Sequence, residues 1–137
     1  VVLVGGNGGG EINTRNRNHF YINYGPFLIE SSETAGIDLP SGRGRSPMWM
    51  DYDNNGVLDL FISNLVSGDT PITSLYRQDN SQFTEAGNES GLSVVENTNG
   101  LQLTDLFNTN KLNVTALSTK YGLKAFDYQM NQKLLFK

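Results

Sequence analysis

Short runs of apolar, β-branched and aromatic residues alternate with clusters of Gly, Asn, Asp, Ser and Pro along the whole chain. Such runs predict β-strands, because these side chains pack well on a pleated sheet and the intervening residues favour turns. The predicted strands are residues 1–4, 20–23 with 27–29, 47–50 with 58–63, and 74–77 with 82–85. No stretch of a dozen residues has a clean 3.6-residue period. The pattern therefore predicts an all-β fold.

Some of these residues recur at a fixed spacing. Three pairs stand 55 or 56 positions apart: Tyr21 and Tyr76, Phe27 and Phe83, and Gly36 and Gly91. Two further matches follow in a third copy: Asp51 and Asp59 recur as Asp105 and Asn113, and Tyr76 recurs as Phe126. A repeat of this length that holds four short strands is typical of a β-propeller blade of four antiparallel strands.

The repeat predicts about two and a half blades. Residues 1–46 form a partial first blade, residues 47–100 a complete blade, and residues 101–137 a degenerate final blade. A propeller needs ~4–8 blades to close, and the chain begins at Val1 inside a strand-like run. We therefore expect a piece of a longer protein, or one whose open edges are covered by a partner.

One loop, residues 51–59, carries candidate metal ligands. Its positions 1, 3, 5 and 9 hold side-chain oxygens, from Asp51, Asp53, Asn55 and Asp59. Ca²⁺ takes roughly 6–8 hard oxygen ligands, and alternate placement in a tight loop directs such side chains toward one point. The carbonyl of Val57 can add a ligand at position 7. The spacing predicts a calcium site formed by these five residues.

The loop differs from an EF-hand, in which a bidentate Glu at position 12 completes the site. That position is Ile62 here, and predicted strands flank the loop. Gly56 is expected at positive φ, where it lets the chain reverse. Two other interpretations remain open: a polar hairpin turn without an ion, and a carboxylate pair for glycoside hydrolysis. In the third copy Phe107 and Thr109 replace Asp53 and Asn55, so we expect no tight calcium site there.

Residues 49–60, followed by residues 75–77, 82–83 and 91–92, resemble the FG-GAP/VCBS repeat of integrin-α-type propellers, in particular its cartilage-acidic-protein-like branch. The resemblance covers residues 20–92. It implies a propeller with calcium in its inter-strand loops that serves adhesion and assembly. It also implies an extracellular, cell-surface or otherwise exported location.

The composition of the chain argues against several classes of partner and of chemistry. A net charge of −4 argues against nucleic acid as a partner. The absence of Cys excludes disulfides and thiolate chemistry, and the single His excludes a His cluster. No apolar run reaches the ~20 residues of a membrane-spanning helix. Asn88 and Asn113 begin glycosylation sequons.

These observations predict a non-catalytic, calcium-binding module for interaction with a protein or glycan, or for adhesion. The alternatives are a structural subunit of a large assembly, and an accessory propeller of a secreted enzyme whose catalytic part lies elsewhere. One further set of residues is predicted to form the core between blades, with a sugar or peptide platform as its alternative: Trp49, Tyr52, Phe61, Tyr76 and Phe83.

Overall fold

The computed structural model describes residues 2–3, 18–37, 44–64, 74–90, 92, 98–109, 112–119, 122–127 and 132–134. The strands are β1 (Val2–Leu3), β2 (His19–Tyr24), β3 (Phe27–Glu30), β4 (Gly44–Met50), β5 (Asp59–Asn64), β6 (Ser74–Asp79), β7 (Gln82–Glu85), β8 (Thr98–Thr104), β9 (Asn113–Ser118), β10 (Gly122–Asp127) and β11 (Gln132–Leu134). The helix α1 spans Ser32–Ala35. The predicted all-β fold is confirmed. The single turn of α1 was not predicted, because four residues are too few to show a helical period.

The strands form three antiparallel sheets. The first sheet contains β1, β2 and β3, the second contains β4 to β7, and the third contains β8 to β11. In each sheet, strands that follow one another in sequence lie side by side. The second and third sheets begin a few residues before the predicted blade starts, and the proposed division into domains stays a prediction. Within the described residues, no helix has the length and apolar character needed to cross a membrane.

The second and third sheets repeat the same strand pairing at a spacing of 54 residues. Met50 pairs with Asp59 where β4 meets β5, and Thr104 pairs with Asn113 where β8 meets β9. Both strand pairs also have an irregular register directly after the first residue of β4 or β8. The third copy of the repeat, which forms the third sheet, therefore keeps the backbone arrangement of the second copy, although most of its loop side chains differ.

The first and second sheets share the hairpin of β2–β3 and β6–β7 at a spacing of 55. Tyr21 pairs with Glu30, and Tyr76 pairs with Glu85. The segments that follow these hairpins also match in their backbone hydrogen bonds. For example, the N–H groups of Ile37 and Leu92 each donate to the carbonyl five residues earlier, over 3.0 Å. The repeat inferred from the sequence is thus present in the backbone, while Gly91 lies outside the described residues.

One predicted match in the repeat was wrong by a residue. Phe83 pairs with Gln78, and Leu28 pairs with Asn23, so Leu28 is the structural equivalent of Phe83. The identity of Phe27 with Phe83 suggested the other alignment. Because side chains alternate between the two faces of a strand, a shift of one residue places Phe27 on the opposite face.

Two hydrophobic clusters hold the sheets face to face. The first cluster, between the first and second sheets, contains Phe20, Ala35, Ile37, Trp49, Leu60, Ile62, Tyr76 and Phe83. The second cluster, between the second and third sheets, contains Met48, Met50, Tyr52, Phe61, Leu75, Ala86, Leu92, Leu101, Leu103, Val114 and Ala116. Strand β5 lies between the two clusters, and all six of its residues are buried. A fully buried Leu, Ile or Phe contributes about 1.5–3 kcal/mol relative to an exposed one.

Candidate metal centre

The loop of residues 51–58 connects β4 to β5 at one end of the second sheet. Asp51 directly follows β4, and Asp59 is the first residue of β5, opposite Met50. The strand pairing therefore holds the first and last candidate ligands beside each other. Asp53 and Asn55 lie in the exposed part of the loop between them.

The three carboxylates converge. One oxygen each of Asp51, Asp53 and Asp59 can be chosen so that all three lie within 4.8 Å of one another. Two oxygens on opposite sides of one Ca²⁺ are separated by about 4.6–5.2 Å, because each Ca–O distance is about 2.3–2.6 Å. The three oxygens therefore fit around a single ion of this size.

Side chains of the loop also shape its backbone. The carboxylate of Asp51 accepts hydrogen bonds from the N–H groups of Asn55 and Gly56, both over 3.0 Å. The carboxylate of Asp53 accepts a second one from Asn55 over 3.2 Å, and the amide oxygen of Asn55 accepts one from Val57 over 2.7 Å. A carboxylate oxygen has more than one acceptor site, so these bonds leave room for a cation on the same oxygens.

Asp59 is fully buried, and both of its oxygens accept backbone hydrogen bonds. Oδ2 accepts from the N–H of Tyr52 over 2.9 Å, and Oδ1 accepts from the N–H of Gln78 on β6 over 2.8 Å. Burial raises the pKa of the Asp59 carboxyl, the two backbone bonds lower it, and the charges of Asp53 and Asp51 raise it further. A bound cation would relieve the repulsion among the three carboxylates.

Gln78 could not be assigned to this site from the sequence, because nothing in the loop motif points to a residue nineteen positions later. The same is true of Glu89, whose carboxylate accepts a hydrogen bond from the Tyr52 hydroxyl over 3.0 Å and lies 3.4 Å from the Arg77 guanidinium. Burial and the bond to Glu89 raise the pKa of Tyr52. These contacts tie the start of the loop to the segment after β7.

The reversal of the loop uses two residues with left-handed backbone. Gly56 has φ of +83°, as predicted, and Asn54 has φ of +59°. Asn is among the non-glycine residues that tolerate this region best. An ideal Cβ built on Gly56 would meet no atom within 4 Å, so a side chain there is opposed by the backbone conformation alone.

A substitution series at Gly56 tests this geometry. We expect Gly56→Ala to lower the free energy of unfolding by about 1–2 kcal/mol, since an L-residue pays this cost in the left-handed region. Gly56→Asn should cost less and Gly56→Val more, and calcium affinity should fall in the same order. Thermal melts with and without chelator, together with calcium titration, measure both effects. Stabilisation by Ala would contradict the observed backbone conformation.

The equivalent loop of the third sheet keeps two of the same side-chain-to-backbone hydrogen bonds but has one carboxylate in place of three. Asn113 Oδ1 accepts from the N–H of Leu106 over 3.3 Å, as Asp59 does from Tyr52. Asp105 Oδ1 accepts from the N–H of Thr109 over 2.9 Å, as Asp51 does from Asn55, and Asn108 has the positive φ of Asn54. Asp105 is the one carboxylate at the matching positions, and the expected absence of a tight calcium site in this loop stays a prediction.

The structure also places the other residues singled out in the sequence. Phe61, Tyr76 and Phe83 are buried in the two clusters, so an open aromatic platform does not form from this set. Asn113 is buried and hydrogen-bonded within its loop, whereas Asn88 is exposed. Of the two sequons, the structure leaves only that of Asn88 accessible at the surface.

Comparison of the chain with protein-family models, with curated proteins and with solved structures found no match in any of the three. The resemblance to the FG-GAP/VCBS repeat therefore stays a prediction. The five-ligand calcium site also stays a prediction, supported by the convergence of its three carboxylates.

Proposed function

We propose that this chain is a non-catalytic, calcium-binding module whose sheets are blades of a β-propeller. The observation that carries the proposal is the convergence of the Asp51, Asp53 and Asp59 carboxylates within 4.8 Å at the end of a strand pair. Asn55 and the carbonyl of Val57 would complete the protein ligands, and water would fill the remaining positions. Ca²⁺ would supply charge neutralisation and a rigid loop.

The charge balance of the loop supports a cation as its ligand. Within the described residues, no ion pair with Lys or Arg is seen for any of the three carboxylates. Asp59 is fully buried. An uncompensated charge is costly in a buried position. A divalent cation shared by all three would offset that cost. Hard oxygen donors with no nitrogen or sulfur suit Ca²⁺, Mg²⁺ or Mn²⁺ better than Zn²⁺ or copper.

The arrangement of the sheets supports the propeller. One three-stranded and two four-stranded antiparallel sheets follow one another along the chain and pack face to face. Radial repetition of such sheets is the architecture of a propeller. The proposed role is adhesion to, or recognition of, a protein or glycan in an exported compartment. Extracellular calcium modules work at dissociation constants of about 10⁻⁴–10⁻³ M.

Calorimetric calcium titration tests the site. The unmodified chain should bind one Ca²⁺, and the Asp51→Ala/Asp53→Ala variant should bind none at the same concentrations, because two of the three converging carboxylates are gone. Asp105→Ala is the matched control. It removes the equivalent carboxylate of the third loop and should leave the stoichiometry and affinity unchanged. Equal binding by the double variant and the unmodified chain would refute the assignment.

Chelation tests the proposed structural role of the ion. A ligand that binds only the folded state stabilises it by RT ln(1 + [L]/Kd), or about 2.7 kcal/mol at a hundred times Kd. We therefore expect a chelator to lower the melting temperature of the unmodified chain and to leave that of Asp51→Ala/Asp53→Ala unchanged. An identical melt of the unmodified chain with and without chelator would show that the ion does not stabilise the fold.

A further inference from the structure

Tyr52, the second residue of the loop, is held at both of its ends. Its backbone N–H donates to Oδ2 of the buried Asp59 over 2.9 Å, and its hydroxyl donates to the Glu89 carboxylate over 3.0 Å. Between these two contacts the ring is partly buried against the second cluster. Tyr52 stands between two proposed ligands, Asp51 and Asp53, so its position constrains the backbone that carries both.

The contacts around Tyr52 close into a ring. Nη1 of Arg77 lies 3.4 Å from the same Glu89 oxygen that accepts the Tyr52 hydroxyl. Arg77 directly precedes Gln78 on β6, and the N–H of Gln78 donates to Oδ1 of Asp59 over 2.8 Å. Asp59 therefore receives one hydrogen bond from each side of this ring, and the carboxylate of Glu89 joins the two sides.

Glu89 extends from a turn, residues 86–90, whose backbone is fixed by other contacts. The N–H of Ala86 donates to the carbonyl of Leu75 on β6 over 2.7 Å, and the N–H of Ser90 donates to the carbonyl of Ala86 over 3.0 Å. Ala86 and Ser90 are both buried, and Ala86 belongs to the second cluster. A side chain on such a support can hold a neighbouring loop in place, because its own backbone is already fixed.

The third loop lacks this side-chain anchor. Its residue at the position of Tyr52 is Leu106, which has no hydroxyl to donate. The N–H of Leu106 still donates to Asn113, so the backbone contact is common to both loops. Of the two loops, the one with three converging carboxylates is therefore the one that carries the anchor.

We propose that Glu89 is a positioning residue for the metal centre, and that it acts through Tyr52 without binding the ion itself. The inference rests on the calcium site proposed above. Glu89 is not one of the carboxylates that converge in the loop. It fixes Tyr52 before an ion arrives, so that Asp51 and Asp53 need less ordering when the ion binds. Preorganisation of this kind raises affinity because it reduces the entropy lost on binding.

Calcium titration of three single variants tests this role. Tyr52→Phe removes the hydroxyl and changes no charge at neutral pH, Glu89→Ala removes the acceptor, and Arg77→Met removes the partner that orients it. We expect each substitution to weaken calcium binding by about two- to fivefold, the size expected for an exposed charge-assisted hydrogen bond. The double variant Tyr52→Phe/Glu89→Ala should bind no more weakly than the weaker single variant, because both changes break the same contact.

The Arg77→Met variant separates positioning from simple charge. Loss of a nearby positive charge would by itself tighten the binding of a cation, whereas loss of the contact to Glu89 weakens it. Asp79→Asn is the matched control for Glu89→Ala: Asp79 is exposed on β6, one residue beyond Gln78, and lies outside the ring. It removes the same unit of charge and should weaken calcium binding less than Glu89→Ala does.

Thermal melts in excess chelator complete the experiment. If the ring served stability alone, the variants would melt at lower temperature in chelator and bind calcium as the unmodified chain does, and this result would overturn the proposal. Tighter binding by Arg77→Met, or additive losses in the double variant, would also overturn it, since Glu89 would then act by its charge. If the unmodified chain binds no calcium, the proposed function is refuted and this inference fails with it.

Discussion

Replacing Gly36 by alanine is expected to lower the free energy of unfolding by about 3 kcal/mol. Gly36 ends α1 with φ of +81°, and an L-residue costs about 1–2 kcal/mol in that region. In addition, an ideal Cβ at Gly36 would lie 2.7 Å from the carbonyl oxygen of Phe83. Because that neighbour is a backbone atom, the clash can be relieved only if the segment between α1 and β4 moves away from β7. Such overpacking typically costs about 1–3 kcal/mol.

Gly25→Ala is the matched control for this prediction. Gly25 also has positive φ, at +65°, but an ideal Cβ there meets no atom within 4 Å. It should therefore show the conformational cost alone. Chemical denaturation of both variants gives the difference, which measures the close approach of Gly36 to Phe83. Equal losses for the two variants would mean that this approach relaxes at no cost.

Replacing Asp59 by alanine should lower the free energy of unfolding by a comparable amount, even when no metal is present. The buried carboxylate accepts hydrogen bonds from the N–H groups of Tyr52 and Gln78, and the substitution removes the acceptor of both. A fully buried unsatisfied donor costs about 1–3 kcal/mol, and these two donors are partly buried, so the expected loss is about 2–3 kcal/mol. Denaturation in excess chelator measures this loss without any contribution from calcium.

Asp59→Asn separates the structural role of this residue from its proposed role as a ligand. An asparagine keeps one acceptor oxygen, and Asn113 uses its own oxygen for the equivalent bond to Leu106. In chelator Asp59→Asn should therefore be more stable than Asp59→Ala. Calcium affinity should fall strongly in both variants, since both remove the buried charge. If Asp59→Asn binds calcium as the unmodified chain does, Asp59 is not a charged ligand of the ion.

The loop of residues 51–58 and the junctions between the sheets are physically connected. Gly36 lies in the connection between the first and second sheets, and Asp59 ties the loop of residues 51–58 to β6 of the second sheet. Tyr52 extends from the loop into the cluster between the second and third sheets. A change in the occupancy of the loop would therefore act on the junction between sheets as well as on the loop itself.

Much of the local structure follows from the sequence alone. Alternation of apolar runs with turn residues placed the hairpin strands of the first two repeats within a few residues, because both signals depend on nearest neighbours. The spacing of Asp51, Asp53 and Asp59 predicted that their oxygens converge, because one tight loop holds all three. The spacing of Tyr21 and Tyr76 revealed a repeat that the backbone retains.

How the sheets face one another depends on tertiary packing and could not be predicted from the sequence. Trp49 and Tyr52 were both predicted in the core between blades, and the structure assigns them to different clusters, on opposite sides of the second sheet. The exposure of Leu28, and the hydrogen bond from Gln78 to Asp59, were equally beyond the sequence. A strand presents side chains to both faces with the same two-residue period, and packing alone determines which sheet covers each face.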